Sequence, residues 1–169
     1  GSLNDPLLGE KGMWSEGGIR VPFIIRWSKL PQGVLYTMPV SSRDIASTAL
    51  RLAGFKKTKD MDGVDLLPYL TGRKTKAPHP YLFWRFWDQS AVRSEKWKFI
   101  NAGNKAAYLF DMKKDPEERN NLISREPAVA KKLRRKLQDW TKGLMPPGIP
   151  YKNLNNQESG WYDHYFRKY

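Results

Sequence analysis

A compact apolar run, Val21-Pro22-Phe23-Ile24-Ile25-Arg26-Trp27, follows a polar stretch rich in glycine (Gly9, Gly12, Gly17, Gly18). Its length and β-branched content predict a buried strand, and Pro31 and Gly33 mark the turn after it. Ile45, Ala49, Leu50, Leu52 and Ala53 then recur at helical spacing. Ser41 with Asp44 reads as a capping box before them and Gly54 as the residue that stops them, so a helix is predicted over 42–53. Asp62 to Leu70 reads as a turn and then a short helical or irregular segment ending at Gly72, and the basic, Pro-rich residues 73–80 read as a linker. From Tyr81 the pattern changes to strands, at 81–87, 90–94, 97–101 and 107–111, with short turns that suggest an antiparallel meander. Pro127 suits the first turn of a last helix. Its stripe of Val129, Leu133, Leu137, Trp140 and Leu144 should cover one face of the meander, and Pro146-Pro147 ends it. The remainder to Tyr169 is aromatic and polar without clear period and reads as an extended tail.

Composition narrows the function classes only partly. The chain has 169 residues, 40% of them hydrophobic, which is enough for an ordinary core. Thirty Lys and Arg oppose 17 Asp and Glu, a formal charge of +13 that favours polyanionic partners. Cysteine is absent, which removes disulfides, thiolate metal sites and a cysteine nucleophile. No apolar run approaches a membrane span. Lys131, Lys132, Arg134, Arg135 and Lys136 lie opposite the apolar stripe of the last helix and read as a solvated face. None of the standard nucleic-acid motifs appears, so nucleic acid is not an expected partner. His79 and His164 are isolated and have no metal-ligand spacing.

The candidate chemistry lies at Lys11. Its loop, Gly9-Glu10-Lys11-Gly12-Met13-Trp14-Ser15-Glu16-Gly17-Gly18-Ile19-Arg20-Val21-Pro22, uses glycines for tight backbone turns and delivers into the expected strand. A lysine held there is a compact point charge with three donors, suited to a tetrahedral oxyanion. The pattern Lys-Gly-x-x-x-Glu-Gly-Gly-x-Arg-x-Pro is similar to a motif of the formylglycine-dependent sulfatases of the arylsulfatase family. Further stretches resemble that family in the same order. They are Val40 to Asp44 with Asp62 to Pro68, the hairpin Ala91 to Ile100, and Leu109 to Leu122 with its Asp115-Pro116 turn.

The resemblance implies that Lys11 contacts the sulfate ester and that Glu16 and Arg20 brace the loop. It implies an α+β chain that is the C-terminal portion of a sulfatase. Residues 1–72 would end the α/β catalytic domain, contributing one strand and one helix to its sheet. Residues 73–80 would be the linker, 81–145 a small antiparallel sheet packed on a helix, and 146–169 the tail. The family also uses a formylglycine, made from Cys or Ser in Cys/Ser-x-Pro/Ala-x-Arg, and a divalent cation, usually calcium. Both are expected in the upstream catalytic half of the same protein, because this chain is read as having no serine in that pattern and no metal ligands. The chain is then catalytically incomplete alone. The expected substrate is a sulfated carbohydrate or aryl sulfate, with Trp84 and Arg85 as further substrate contacts, and the expected location is periplasmic or secreted. A non-catalytic basic module for sulfated or acidic glycans is the alternative.

Overall fold

A computed structural model describes residues 3–56, 60–148 and 154–166 of the chain. Lys57 and Lys59 of the basic loop, and parts of the expected tail, lie outside the described residues. The elements in chain order are α1 (Glu16–Ile19), α2 (Arg43–Leu52), α3 (Leu67–Leu70), β1 (Leu82–Phe86), β2 (Gln89–Arg93), β3 (Trp97–Ala102), β4 (Ala106–Asp111), α4 (Pro127–Lys142) and α5 (Asn156–Phe166). The chain is α+β, as expected, and divides into two compact units, one of residues 1–21 with 83–169 and one of residues 22–82. This division differs from a break at residues 73–80, because the Lys11 loop is part of the sheet unit.

In the sheet unit the strands form an antiparallel sheet in the order β1-β2-β3-β4, the expected meander. Ala91↔Ile100 and Ile100↔Tyr108 are register partners across β2, β3 and β4. Adjacent residues Ala91 and Val92, Phe99 and Ile100, and Leu109 and Phe110 are all buried, so the strands show no in–out alternation. That requires cover on both faces. One cover is α4, whose Trp140 stacks on Phe83 at 5.1 Å and whose Ala130, Leu133 and Leu137 are buried. The other face carries Ala91, Ile100, Ala102, Tyr108 and Phe110, which form a core with Leu8 and Met13 of the N-terminal loop and Tyr162 and Phe166 of α5.

The tail is therefore not extended where it is described. Residues Asn156–Phe166 are helical because Asn155 and Glu158 form a reciprocal cap: each backbone N–H donates to the other's side-chain oxygen, at 3.0 and 2.9 Å. Glu158, Tyr162 and Phe166 then fall one turn apart on the buried face. Tyr108 stacks with Tyr162 at a centroid distance of 5.8 Å, and Phe166 lies 4.5 Å from Tyr108.

In the other unit the expected helix forms as α2, but its apolar stripe is not what it buries. Asp44, Ser47 and Thr48 are buried, whereas Ile45 and Leu52 are exposed. The Asp44 carboxylate accepts the Ser41 N–H at 2.7 Å and the Val64 N–H at 2.9 Å, and it hydrogen-bonds His79 Nε2 at 2.9 Å. Thr48 Oγ1 donates to the Asp44 carbonyl and accepts the Leu66 N–H, which leads into α3. His79, isolated in sequence, is thus a half-buried partner of Asp44.

Residues 21–27 form no strand. Val21 is 72% exposed and Ile24 91% exposed, and no described strand pairs with this segment. The physical reason is that a strand needs a ladder partner for its N–H and C=O groups, and the one described sheet is formed by residues from Leu82 onward.

Candidate functional site

The Lys11 loop is held by backbone bonds at its neck. Gly17 N–H donates to Leu8 O at 2.9 Å, Met13 N–H to Glu10 O at 3.0 Å, and Gly18 N–H to Ser15 O at 2.9 Å. The paired glycines follow from this crossing, since a Cβ at Gly17 would stand 2.5 Å from the carbonyl oxygens of Leu8 and Gly9. Met13 anchors the loop in the core and is almost fully buried, while Lys11 at the loop's tip is exposed. Among the described residues Lys11 makes no hydrogen bond or ion pair, so its ammonium is available to an external anion.

Beneath the loop lies a buried charge cluster. Lys98, completely buried on β3, places Nζ 2.9 Å from Glu16 Oε1 and 2.7 Å from Glu118 Oε1. The Glu16 backbone N–H donates to Glu118 Oε2 at 2.6 Å, and Arg93 lies 3.7 Å from the Glu16 carboxylate. Three stretches far apart in sequence meet here: the loop, the hairpin and the turn after β4. Burial pushes the Glu16 carboxyl up, but the charges of Lys98 and Arg93, the Lys98 hydrogen bond and the charge of Arg20 outweigh it and hold it below the usual carboxylate range. For Glu118 burial wins over the attraction of Lys98, and the Glu16 charge adds to it, so its pKa is raised. Glu16 thus ties the loop to β3 through Lys98 and to the turn after β4 through Glu118. Arg20 is exposed and contributes its charge to Glu16.

Lys98 and Glu118 were not anticipated as site residues. The strand period offered one signal, since Lys98 shares a face with Ile100, but nothing local pointed to its two carboxylate partners.

Trp84 and Arg85 do not converge on one ligand. As neighbours on β1 they point to opposite faces. Trp84 packs on the core beside the N-terminal loop, and Arg85 donates to the Met145 carbonyl at 2.6 Å on the α4 side. Arg85 there lines an open cleft of about 930 Å³ with Trp87, Asn101, Lys105, Arg134 and Gln138. The two residues cannot act as a pair on one substrate group.

The expectation that no serine stands in the nucleophile pattern is wrong as to sequence. Ser47-Thr48-Ala49-Leu50-Arg51 meets the Ser-x-Ala-x-Arg spacing. The structure gives it another role. Ser47 lies inside α2, is 6% exposed, and opposes Gly63 so closely that a Cβ there would stand 2.7 Å from its hydroxyl oxygen. A small side chain is needed at that contact, and no substrate can reach it. Among the described residues no group of three His, Cys, Asp or Glu could hold a metal ion. No described helix is long and apolar enough to cross a membrane.

Comparison with known proteins bears on what such a loop serves. Residues 8–143 match the family model described as N-sulphoglucosamine sulphohydrolase, C-terminal. Human arylsulfatase H is 30% identical over 202 residues, covering 95% of this chain and 36% of that protein. Mouse steryl-sulfatase is 35% identical over 112 residues, covering 64% of this chain and 18% of that protein. The crystal structure of Ps i-CgsB in complex with k-i-k-neocarrahexaose superposes with a TM-score of 0.78 at 25% identity, over 96% of this chain and 37% of that one. The chain thus spans well under half the length of these relatives, and it belongs to the family of the N-sulphoglucosamine sulphohydrolase C-terminal domain, among the sulfatases.

Proposed function

We propose that this chain is the C-terminal part of an enzyme that hydrolyses sulfate esters of a carbohydrate, and that Lys11 is its cation for the sulfate group. The observation that carries this reading is the exposed, unpaired Lys11 on a loop whose neck is fixed by the buried Glu16–Lys98–Glu118 cluster. Charge grows on the leaving oxygen as a sulfate ester is cleaved, beside a sulfate group that is already anionic. A cation already in place stabilises it without reorganising at the moment of reaction. Ammonium geometry suits this, since three donors can follow tetrahedral oxygens.

A carbohydrate substrate is supported by the sulphoglucosamine in the family's description and by the oligosaccharide bound to the similar Ps i-CgsB. Trp84, on the sheet face that carries the Lys11 loop, is the further substrate contact we retain. The nucleophile and the divalent cation belong to the upstream half, the partner this reading requires, and no step through either follows from the residues here. The exposed apolar residues of 21–27 and of α2 support such a partner, since they present an uncovered face to it. A periplasmic or secreted location is part of the same proposal.

The test is Lys11→Ala in the complete enzyme. Turnover of a sulfated saccharide should fall by about 10²–10³-fold, the usual loss for one preorganised donor, with an unchanged melting temperature. Full turnover would remove Lys11 from the reaction.

A further inference from the structure

The helix α5 lies outside residues 8–143, the span matched by the family, yet it packs on the Lys11 loop. Gly12, the residue after Lys11, has φ +101°, a conformation that favours glycine. The indole of Trp161 occupies the space a side chain would take: a Cβ at Gly12 would stand 2.7 Å from Cζ3 and 2.9 Å from Cη2 of that ring. One residue on, the Tyr162 hydroxyl donates to Gln89 Oε1 at 2.7 Å, and its ring shares the core with Met13. The helix therefore meets the loop at Gly12 and, through the shared core, at the buried Met13.

The helix is itself fastened to the sheet. Lys105, in the turn between β3 and β4, donates to Ser159 Oγ and to the Asp163 carboxylate, both at 2.6 Å. The Asn155–Glu158 cap closes its first turn, and Phe166 reaches the core beside Phe110. A loop whose lysine has no partner of its own gets its position from what packs on its backbone. Here that packing comes from the sheet beneath and from α5 beside it.

We propose that α5 is a clamp that fixes the Lys11 loop, and that Trp161 is a positioning residue which holds the Lys11 backbone through Gly12. This rests on the reading of Lys11 as the sulfate cation. The clamp replaces a covalent or ionic tether: an aromatic face against a glycine restricts the loop while leaving the ammonium free for the substrate. A cation displaced by an ångström loses much of its effect on the transition state, and substrate binding elsewhere is untouched.

The experiment compares Trp161→Ala, Trp161→Phe, Lys11→Ala and the Trp161→Ala/Lys11→Ala pair in the complete enzyme. Trp161→Ala should lower kcat at least tenfold with KM within twofold, and Trp161→Phe should recover most of it. In the Lys11→Ala background the same change should cost less than twofold, because its target is gone. A fall in melting temperature with normal kcat, or losses that multiply in the double variant, would overturn the clamp and leave the role of Lys11 standing. If Lys11→Ala alone keeps full turnover, the role of Lys11 fails, and the clamp is then read from amide hydrogen exchange of the 169-residue chain. Exchange at residues 10–14 should quicken at least tenfold in Trp161→Ala while β3 and β4 stay unchanged, and equal exchange in the loop would reject it. Should Trp161→Ala not fold, Trp161→Leu, which keeps apolar bulk but not the flat ring, carries the same comparisons.

Discussion

Lys98 and Arg93 face each other across β2 and β3, a pairing of like charges that by itself disfavours the sheet. It is tolerated because both reach Glu16, and Lys98 also reaches Glu118. Glu118 takes φ +63° to do so, a backbone cost offset by its carboxylate receiving the Glu16 N–H. The cluster's worth is therefore in its completeness. Lys98→Met leaves the ionised Glu16 buried without its main partner, and chemical denaturation should show a loss of about 3–5 kcal/mol. A triple variant that also carries Glu16→Gln and Glu118→Gln should recover part of that loss. An unchanged denaturation midpoint in Lys98→Met would show that the cluster does not hold the loop to the sheet.

At the level of elements, α2 is anchored by a carboxylate where its pattern promised apolar packing. Burial raises the Asp44 carboxyl, but the hydrogen bond from His79 and those from the Ser41 and Val64 N–H groups outweigh it, and the net shift is downward. A depressed carboxylate stabilises the fold above its unfolded value, near 4, and that contribution is lost as pH falls through the folded value. Acid unfolding of this unit should accordingly steepen below about pH 4. Asp44→Asn should cost about 1–3 kcal/mol at neutral pH and remove that part of the acid response. Circular dichroism between about pH 6 and about pH 2 follows both. Identical acid profiles for the two proteins would mean that Asp44 is not the group responsible. The helix α5 makes a parallel point, since its cap and its Tyr162–Phe166 spacing are local, whereas its use is decided by the aromatic face it meets.

For the whole molecule, the two units differ in how they treat apolar surface. The sheet is buried on both faces, while Ile24 is 91% and Leu35 86% exposed in the other unit, with Ile45, Leu52 and Phe55 also uncovered. Surface of this kind is costly in water and marks an association face. The 169-residue chain on its own should therefore bind a hydrophobic dye and self-associate in light scattering, and both effects should disappear in the complete enzyme. A monomer that binds no dye would remove the reason for assigning this face to an upstream half. The same separation of roles predicts no turnover of an aryl sulfate by this chain alone, since its one serine in the nucleophile pattern is packed against Gly63.

The sequence by itself determined the four strands, α2 and α4, because each depends on a period and end signals that neighbours a few residues apart supply. It also determined the Lys11 pattern, whose glycines answer to a crossing of the loop's own backbone. It held the signals for α5 in the Asn155–Glu158 cap, and for Ser47 in a five-residue spacing, but a short pattern does not say whether its residues end up at a surface or under a glycine. Only the tertiary structure decided that Lys98 meets Glu16, 82 residues away, and that Glu16 meets Glu118, 102 residues away. It alone left residues 21–27 without a ladder and laid Trp161 on Gly12. The reason is common to all three. Burial, pairing and close approach are properties of what lies opposite a residue, and in this protein what lies opposite comes from far along the chain.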